Sequence, residues 1–568
     1  MASPEPRRAA SSVQSMVKEL VDQFSDPLDF YRELIQNAID AESNRVTVAL
    51  DYADGRAVVR VEDDGTGMDE AVIDDYLLVL FRSTKDQDLT KIGKFGIGFV
   101  SVFAPRPERV QVFTAKNGQS WRLDFPSYRR YDKYRMPEPR DGTLVELTKK
   151  MTAKEYGEFA AASLARIRHW CRHADTRIFF QDKAAGAGEV AVNEPFDLEG
   201  GADLRYEEEG TEAVLAFSDK PFTGFYNRGL TLKEGSIVTW AGLQVKVKSR
   251  FLEHTLTRDN VLMDANWEKV LRIVNRLVER ELPQRLKADM NRLAGRIGQD
   301  PGDARARQEW ARRLPFLRWL FSGRFSRWRR SDWPLFPALH GPPLSLGQVG
   351  QAVRSSDRGR TFYFDGAANP VTEALSGRDV PVLPEGDWLQ ELSAWTGGAQ
   401  PVKASQAHCL PRPLAERSLP AALRGLLETL RQVDARCGAK YSGLLPADFD
   451  TPASSVAGRL FVTARAPGEL CTLADRPRSS LLWFGRERRW ALFNVRHPFL
   501  VRLARLHRQR PGLAAYLALK AMHLSDGEVP ADAGRKYCNL AEKTEGLLLS
   551  QALALDEAAS AQADGGAP

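Results

Sequence analysis

Glu33-Leu34-Ile35-Gln36-Asn37-Ala38-Ile39-Asp40-Ala41 is the segment on which the reading of this chain turns. On a helix, Glu33 and Asn37 are four positions apart and share a face, and Asp40 lies about one turn further along it. Leu34, Ile35, Ala38 and Ile39 supply an apolar face for a core. Upstream, Ser25 or Asp26 can cap the helix and Pro27 suits its first turn, so a helix is expected over 28–41. An amide and a carboxylate on an otherwise apolar helix suit a metal–phosphate site. A hard magnesium ion takes oxygen ligands and keeps waters, so the single amide oxygen of Asn37 is enough. Glu33 can then orient and deprotonate an attacking water. The same pattern also describes a solvated polar stripe on a surface helix, and the segment alone leaves both readings open.

Working outward, 45–52 and 57–62 read as strands joined by a hairpin turn at Ala53-Asp54-Gly55. The second strand runs into Glu62-Asp63-Asp64-Gly65-Thr66-Gly67-Met68, ahead of a short helix over about 70–80. Glycines let the backbone turn sharply and approach a ligand closely. A carboxylate just before them, Asp63, can accept a hydrogen bond from an adenine amino group. A glycine turn with a helix cap is the plainer alternative. After a polar stretch from Arg82 to Lys91, Gly93-Lys94-Phe95-Gly96-Ile97-Gly98-Phe99 opens an apolar helix. Backbone amides bared by glycine at a helix start bind phosphate. No Gly-Lys-Ser/Thr follows and no strand precedes, which excludes a Walker loop and a dinucleotide fingerprint. Strands are expected again at 110–114, 121–125 and 143–147. Asp141-Gly142-Thr143 then sets a hydroxyl at a strand entrance, within reach of a nucleotide, or is an ordinary turn. The fold class is α+β, a sandwich of hairpin-paired strands with helices on one face.

Together these four motifs match, in order, spacing and context, the N, G1 and G2 boxes and closing threonine of the GHKL (Bergerat-fold) ATPases. Their wording resembles most the heat-shock chaperones of the ninety-kilodalton class. The resemblance implies an ATP site with magnesium as cofactor. Glu33 would be the catalytic base or water-positioning residue, and Asn37 the magnesium ligand. Asp40 would lie near the ribose or phosphate edge, and Asp63 would read the adenine amino group. Gly65, Gly67 and Met68 would shape the base pocket, and Thr143 would support the adenine side through water. Gly93, Lys94, Phe95, Gly96, Ile97, Gly98 and Phe99 would wrap the phosphates. The stretch carrying Ser83, Thr84 and Lys85 would be a mobile lid. Further on, His254-Thr-Leu-Thr-Arg258-Asp-Asn-Val resembles the chaperones' middle-domain catalytic loop, where Arg258 would face the terminal phosphate and stabilise charge during phosphoryl transfer. Read locally, Arg258 is equally a surface arginine before a helix.

The resemblance is strong in the first half of 1–293, looser in the second, and fades beyond. The domain organisation expected is a Bergerat-type ATP-binding domain over 1–167 and an α/β middle domain over 168–295. An Arg/Trp-rich connecting segment over 296–345, a mixed region of unassigned fold over 346–556 and a polar tail over 557–568 follow. In the connecting segment, arginines such as Arg312, Arg327, Arg329 and Arg330 alternate with Trp310, Phe316, Trp319, Trp328 and Trp333. That pattern suits base stacking, buried aromatics with snorkelling arginine stems, or a client or lipid surface, and packing or protein contact is expected over nucleic acid.

Bulk properties add bounds. In 568 residues, 80 basic against 74 acidic side chains leave +6, too small an excess to argue by itself for a nucleic-acid or membrane partner. The five cysteines are far apart, with no Cys-x-x-Cys pair, so neither a disulfide framework nor a zinc knuckle is suggested, and a reducing cytoplasm is expected. His169, Cys171 and His173 read as part of an ordinary helix rather than a metal site. No secretory signal or membrane-spanning run is seen. The partners expected are ATP, protein clients and a second copy of the chain in a transient dimer, with a nucleic-acid-associated ATPase switch, like the MORC or MutL branches, as the alternative.

Overall fold

The computed structural model describes residues 7–8, 21, 26–78, 98–138, 141–208, 210–235, 240–254, 261–322, 332–356, 359–436, 441–449, 454, 456–472, 489–526, 546, 549–550 and 552–558. Residues 11–24 lie outside them apart from Val21. So do Ser83, Thr84, Lys85, Gly93, Lys94, Phe95, Gly96, Ile97 and Arg258. The chain divides into two units, Met1–Arg285 and Leu286–Pro568.

The first unit is α+β. Its main sheet comprises β1 (Arg7–Arg8), β2 (Arg45–Ala53), β3 (Arg56–Asp63), β4 (Arg109–Lys116), β5 (Gln119–Ser127), β6 (Arg130–Met136), β7 (Thr143–Lys150), β8 (Arg177–Asp182) and β9 (Val190–Ala191). Their order is β1-β6-β5-β4-β7-β3-β2-β8-β9, antiparallel except where β8 pairs parallel to β2. The hairpins follow from the sequence. Asp54-Gly55 and Asn117-Gly118 each place two residues at positive φ, the geometry of a type I′ turn that matches strand twist. Along β2 and β3, alternate residues (Val46, Val48 and Leu50; Ala57, Val59 and Val61) are buried, so one face of the sheet is core. The other face carries cross-strand ion pairs such as Arg60–Glu146 at 2.8 Å.

Two helices cover the apolar face. Helix α1 (Phe30–Asp40) follows a short turn at Pro27–Asp29, which Asp26 caps by accepting from the Leu28 amide at 2.8 Å. Helix α2 (Ala153–Cys171) starts with a capping box between Thr152 and Glu155. The two pack on each other, and the Tyr31 hydroxyl donates to Ser163 at 3.0 Å inside that contact.

A second sheet in the same unit has strands β10 (Leu204–Glu208), β11 (Thr211–Phe217), β12 (Phe222–Asn227), β13 (Leu230–Gly235) and β14 (Leu243–Ser249), in the order β10-β11-β14-β12-β13. Helix α3 (Ala265–Arg276) follows, capped by Asp264. Helix α4 (Leu282–Gln299) contains the division between the units. The His173 imidazole, just past α2, meets Lys246 Nζ of β14 at 3.0 Å. It is a packed polar contact. No cluster of metal-ligating side chains occurs among the described residues.

The second unit begins with α5 (Ala304–Leu320), and Asp300-Pro301-Gly302 is the turn before it. Strands β15 (Pro334–Phe336) and β16 (Leu344–Ser345) pair, and helix α6 (Leu346–Ser355) follows. A parallel three-stranded layer is built from β17 (Thr361–Asp365), α7 (Pro370–Ser376), β18 (Val382–Pro384), α8 (Trp388–Trp395) and β19 (Gln400–Lys403), with β17 central. After β20 (His408–Cys409), a mixed sheet joins β21 (Arg412–Pro413), β22 (Gly443–Asp448), β23 (Phe461–Ala464) and β25 (Trp490–Asn494), while β24 (Cys471–Thr472) pairs with β20. Helices α9 (Ala421–Arg436), α10 (Pro498–Leu506) and α11 (Pro511–Asp526) pack beside that sheet. Several described residues of the Arg/Trp-rich stretch are core. Trp310 and Phe316 are fully buried, Trp310 donates to the Leu335 carbonyl at 2.9 Å, and buried Arg313 bonds Asp289 at 3.1 Å and Glu309 at 2.7 Å. Residues 323–331 of that stretch lie outside the described residues. Among the described residues no helix is long and apolar enough to cross a membrane.

Candidate functional site

Helix α1 buries Leu34, Ile35, Ala38 and Ile39, as its pattern predicts, and also Glu33, which is 3% exposed. Glu33 is therefore no part of a solvated stripe. Asn37, one turn along, is half-buried. Asp40, at the end of the helix, pairs with Arg228 at 3.3 Å. Arg228 stands at the tip of the β12–β13 hairpin with φ +45°, and Gly229 follows at φ +85°. A Cβ on Gly229 would lie 1.7 Å from the His173 carbonyl oxygen, so the tip is pressed against the end of α2. The last turn of α1 is thus tied to the second sheet.

The turn after β3 is built around Asp63. Asp63 closes the strand, opposite Val46 on one side and Thr143 on the other. Burial pushes its carboxyl up to about 6, against hydrogen bonds from the backbone amides of Gly65 and Thr143, with the neighbouring Asp64 and Glu62 adding to the rise. The Gly65 amide donates to its Oδ1 at 2.9 Å. At Asp64 burial also favours the neutral form, but hydrogen bonds from Ser43, Arg45 and Asn44 outweigh it and hold that carboxyl below the ordinary range. Two adjacent carboxylates are thereby separated: Asp64 knits the chain, and Asp63 is held in a half-buried cradle.

The glycines make that cradle possible. The Thr66 amide donates to the Ala41 carbonyl at 3.0 Å, and a Cβ on Gly65 would approach that oxygen to 2.8 Å, so the turn lies directly on the end of α1. Gly67 (φ +62°) would place a Cβ 2.0 Å from the Ala115 carbonyl oxygen, and Gly142 (φ +70°) 1.9 Å from that of Asp63. Thr114, fully buried, accepts from the Met68 amide at 2.9 Å and shares a 3.0 Å hydrogen bond with the Thr143 hydroxyl. Thr143 and the Gly67-Met68 turn thus share one buried hydroxyl. Sequence reasoning missed Thr114, because a threonine inside a strand carries no signal, and it read Gly142 only as a turn.

Gly142→Ala should therefore cost about 3 kcal/mol or more, from left-handed backbone strain plus a clash with main chain. Gly118→Ala, at φ +73° with open space around it, should cost only about 1–2 kcal/mol. Urea unfolding of the two variants checks this, and equal losses would contradict the close approach.

Gly98 and Phe99 begin the described part of the next helical segment. The Phe99 ring is core, against Phe103 and Phe125, so only its backbone is available to a ligand. The ends of the segment containing Arg258 are pinned together by a bridge between His254 and Val261 and by the Leu262 amide donating to Glu253 at 2.7 Å.

Residues 31–138 match the family described as histidine kinase-, DNA gyrase B- and HSP90-like ATPase. Among curated relatives, the chain is similar to the chaperone protein HtpG of Roseobacter denitrificans, 28% identical over 185 residues, covering 30% of this chain and 29% of the relative. HtpG of Myxococcus xanthus is 26% identical over 203 residues, 32% of this chain and 31% of that one. The DNA mismatch repair protein MutL of Opitutus terrae is 37% identical over 75 residues, 12% and 11% of the two chains. The matches thus span a third or less of the relatives' length. The N-terminal part of this chain carries a GHKL-type ATPase domain that resembles those of the ninety-kilodalton heat-shock chaperones.

Proposed function

We propose that this protein binds and hydrolyses ATP and uses the cycle, as a chaperone-like machine, to act on protein clients. The observation that carries the reading is the cradle of Asp63. It is a half-buried carboxylate with a raised pKa, set in a turn whose glycines let the backbone close tightly around it. Asp63 accepts from the adenine amino group, and Gly65, Gly67, Met68 and Thr143 shape the space around the base. Glu33 orients and deprotonates the attacking water, while Gly93 to Phe99 supply backbone amides to the phosphates. The oxygen donor on the half-buried face of α1 fits magnesium: the Asn37 amide would hold the ion, which when bound neutralises phosphate charge. Ser83, Thr84 and Lys85 belong to the lid, and Arg258 completes the site as the catalytic arginine of the expected middle domain. The Asp40–Arg228 pair supports communication between the nucleotide helix and that sheet.

The test is steady-state ATP turnover together with suppression of aggregation of an unfolded protein, with and without ATP. Turnover with ATP-dependent client protection is the expected result, and absence of ATP binding removes the reading. Sedimentation with a non-hydrolysable ATP analogue should reveal a dimer that the apo protein lacks.

Asp63 also sets a pH dependence. It must be ionised to accept the adenine hydrogen bond, and its carboxyl titrates at about 6 in the free protein. Affinity for ATP should be full above pH 7 and fall as pH drops through 6, about tenfold weaker at pH 5. A titration series of an ATP analogue from pH 5 to 7.5 measures this, and a flat profile contradicts the assignment.

The MutL similarity keeps a nucleic-acid-associated switch as the second reading. Of the described aromatics, Trp310, Phe316, Phe321 and Trp333 are buried, which removes them as stacking platforms, while Trp319 is half-buried against Phe316. Salt-sensitive nucleic-acid binding, lost on substituting Arg327, Arg329 and Arg330, would favour this reading over the first.

A further inference from the structure

Strands β20 and β24 meet in a ladder of two residue pairs, His408 opposite Thr472 and Cys409 opposite Cys471. Directly opposed residues of an antiparallel pair put their side chains on the same face, with Cα atoms about 4.5–5.5 Å apart. That lies within the Cα range of about 4.4–6.8 Å that a disulfide spans. Both cysteines are thiols and both are buried, at 0% and 2% exposure, among Ala447, Val456 and Leu492. The Cys471 thiol donates to the Glu469 carbonyl at 3.3 Å.

The place of the ladder gives the pair a consequence. Ala407, just before β20, and Leu470, just before β24, belong to the core of the parallel layer with Tyr363, Val371 and Val382. Cys409 and Cys471 themselves belong to the next cluster, under the last sheet. The ladder is therefore the seam between two cores of the second unit, and two residue pairs of backbone hydrogen bonding are a short clasp.

We propose that Cys409 and Cys471 form a dithiol–disulfide site, oxidised by a low-molecular-weight disulfide such as oxidised glutathione, that locks this seam covalently. One cysteine thiolate attacks a sulfur of oxidised glutathione and expels a glutathione thiolate, leaving a mixed disulfide. The second cysteine thiolate then attacks the protein sulfur of that mixed disulfide and expels the other glutathione thiolate. Two protein thiols are oxidised, one glutathione disulfide is reduced to two thiols, and the two cysteine protons pass to them. Burial makes the exchange wait on opening of the ladder, and it shields the disulfide once closed. Cys171 is the internal comparison: it is buried in α2 of the other unit, where burial pushes its thiol up to about 12.

The test uses the full chain. It is equilibrated with oxidised glutathione, its remaining thiols are blocked with N-ethylmaleimide, and it is mapped by mass spectrometry without reduction. The expected product is a peptide pair joined through Cys409 and Cys471, separated by dithiothreitol, with Cys171 blocked as a thiol. Closing a ring of about 60 residues should raise the Tm of the second unit by roughly 5–10 °C. Cys471→Ala should lack both the joined pair and the rise. Recovery of Cys409 and Cys471 as blocked thiols in the oxidised wild type overturns the proposal. So does their joining to Cys437 or Cys538 instead of each other, and both results are read without any variant.

Discussion

Asp63→Asn is expected to weaken ATP binding at least 100-fold while leaving the protein folded. The oxygen of Asp63 that takes the Gly65 amide at 2.9 Å is already committed to holding the turn, as is the hydrogen bond from the Thr143 amide. The carboxylate has acceptor capacity left over for an adenine amino group. An asparagine has one carbonyl oxygen and one amide nitrogen. Turned to satisfy the turn, it presents a donor to the donor on adenine. Turned to satisfy adenine, it presents that donor to the backbone amides. Either way a buried donor pair is opposed, at a cost of about 1–3 kcal/mol for each unsatisfied group, on top of a lost charge-assisted bond of about 1.5–3 kcal/mol. At about 1.4 kcal/mol per factor of ten, the sum exceeds two decades.

Stability moves the other way, which separates the two effects. The native carboxyl titrates at about 6, above its ordinary value of 3.8. The native state therefore binds the proton more tightly than the unfolded chain does. Asp63 costs no stability below the unfolded value, and its penalty grows as pH rises to about 6 and is complete above it. A neutral asparagine escapes that penalty, so Tm at neutral pH should be unchanged or higher. Isothermal titration beside thermal unfolding gives both numbers. Wild-type affinity in Asp63→Asn would show that the aspartate only holds a turn.

How much of this could be read beforehand depends on the range of each interaction. Helix α1 and the β2–β3, β4–β5 and β7 strands were legible because their signals are local: a cap at Asp26, apolar spacing along 34–39, alternation over 57–61, and Asp54-Gly55 at the turn. The roles expected of Asp63 and the glycines rested on order and spacing, and the close approaches at Gly67 and Gly142 give the physical reason for those glycines. Strand β8 was not legible. It joins β2 in parallel from the far side of α2, and nothing in Arg177–Asp182 itself names that partner. For the same reason the main sheet continues to Ala191, beyond position 167. Thr114, the Arg228 partner of Asp40, and the meeting of Cys409 with Cys471 are likewise contacts between distant segments, invisible to periodicity. The alternation of arginine and tryptophan near 310 was ambiguous because a snorkelling arginine and a nucleic-acid-binding one look alike until burial is known. At Trp310 and Arg313, burial decides for packing.

Glu33→Gln should lower kcat by about 10²–10⁴-fold, the usual worth of a positioned general base, with the dissociation constant for ATP changed less than about threefold. A glutamate that is 3% exposed on a core-packed helix has given up hydration, which a protein tolerates only where the group is partnered or put to use. Glutamine keeps the volume of the side chain, so the packing of α1 against α2 and β3 is preserved. What it removes is the ability to take a proton. Because proton removal belongs to the hydrolytic step, the loss falls on kcat and spares binding. This is the reverse of the expected Asp63→Asn profile, and the pair of variants divides the site into a binding half and a chemical half. Single-turnover kinetics with saturating protein reads the hydrolytic step directly. If turnover persists within tenfold of wild type, Glu33 is a structural carboxylate and the base must be sought elsewhere. If binding is lost along with turnover, the glutamate maintains the pocket rather than the reaction, and α1 loses its catalytic assignment.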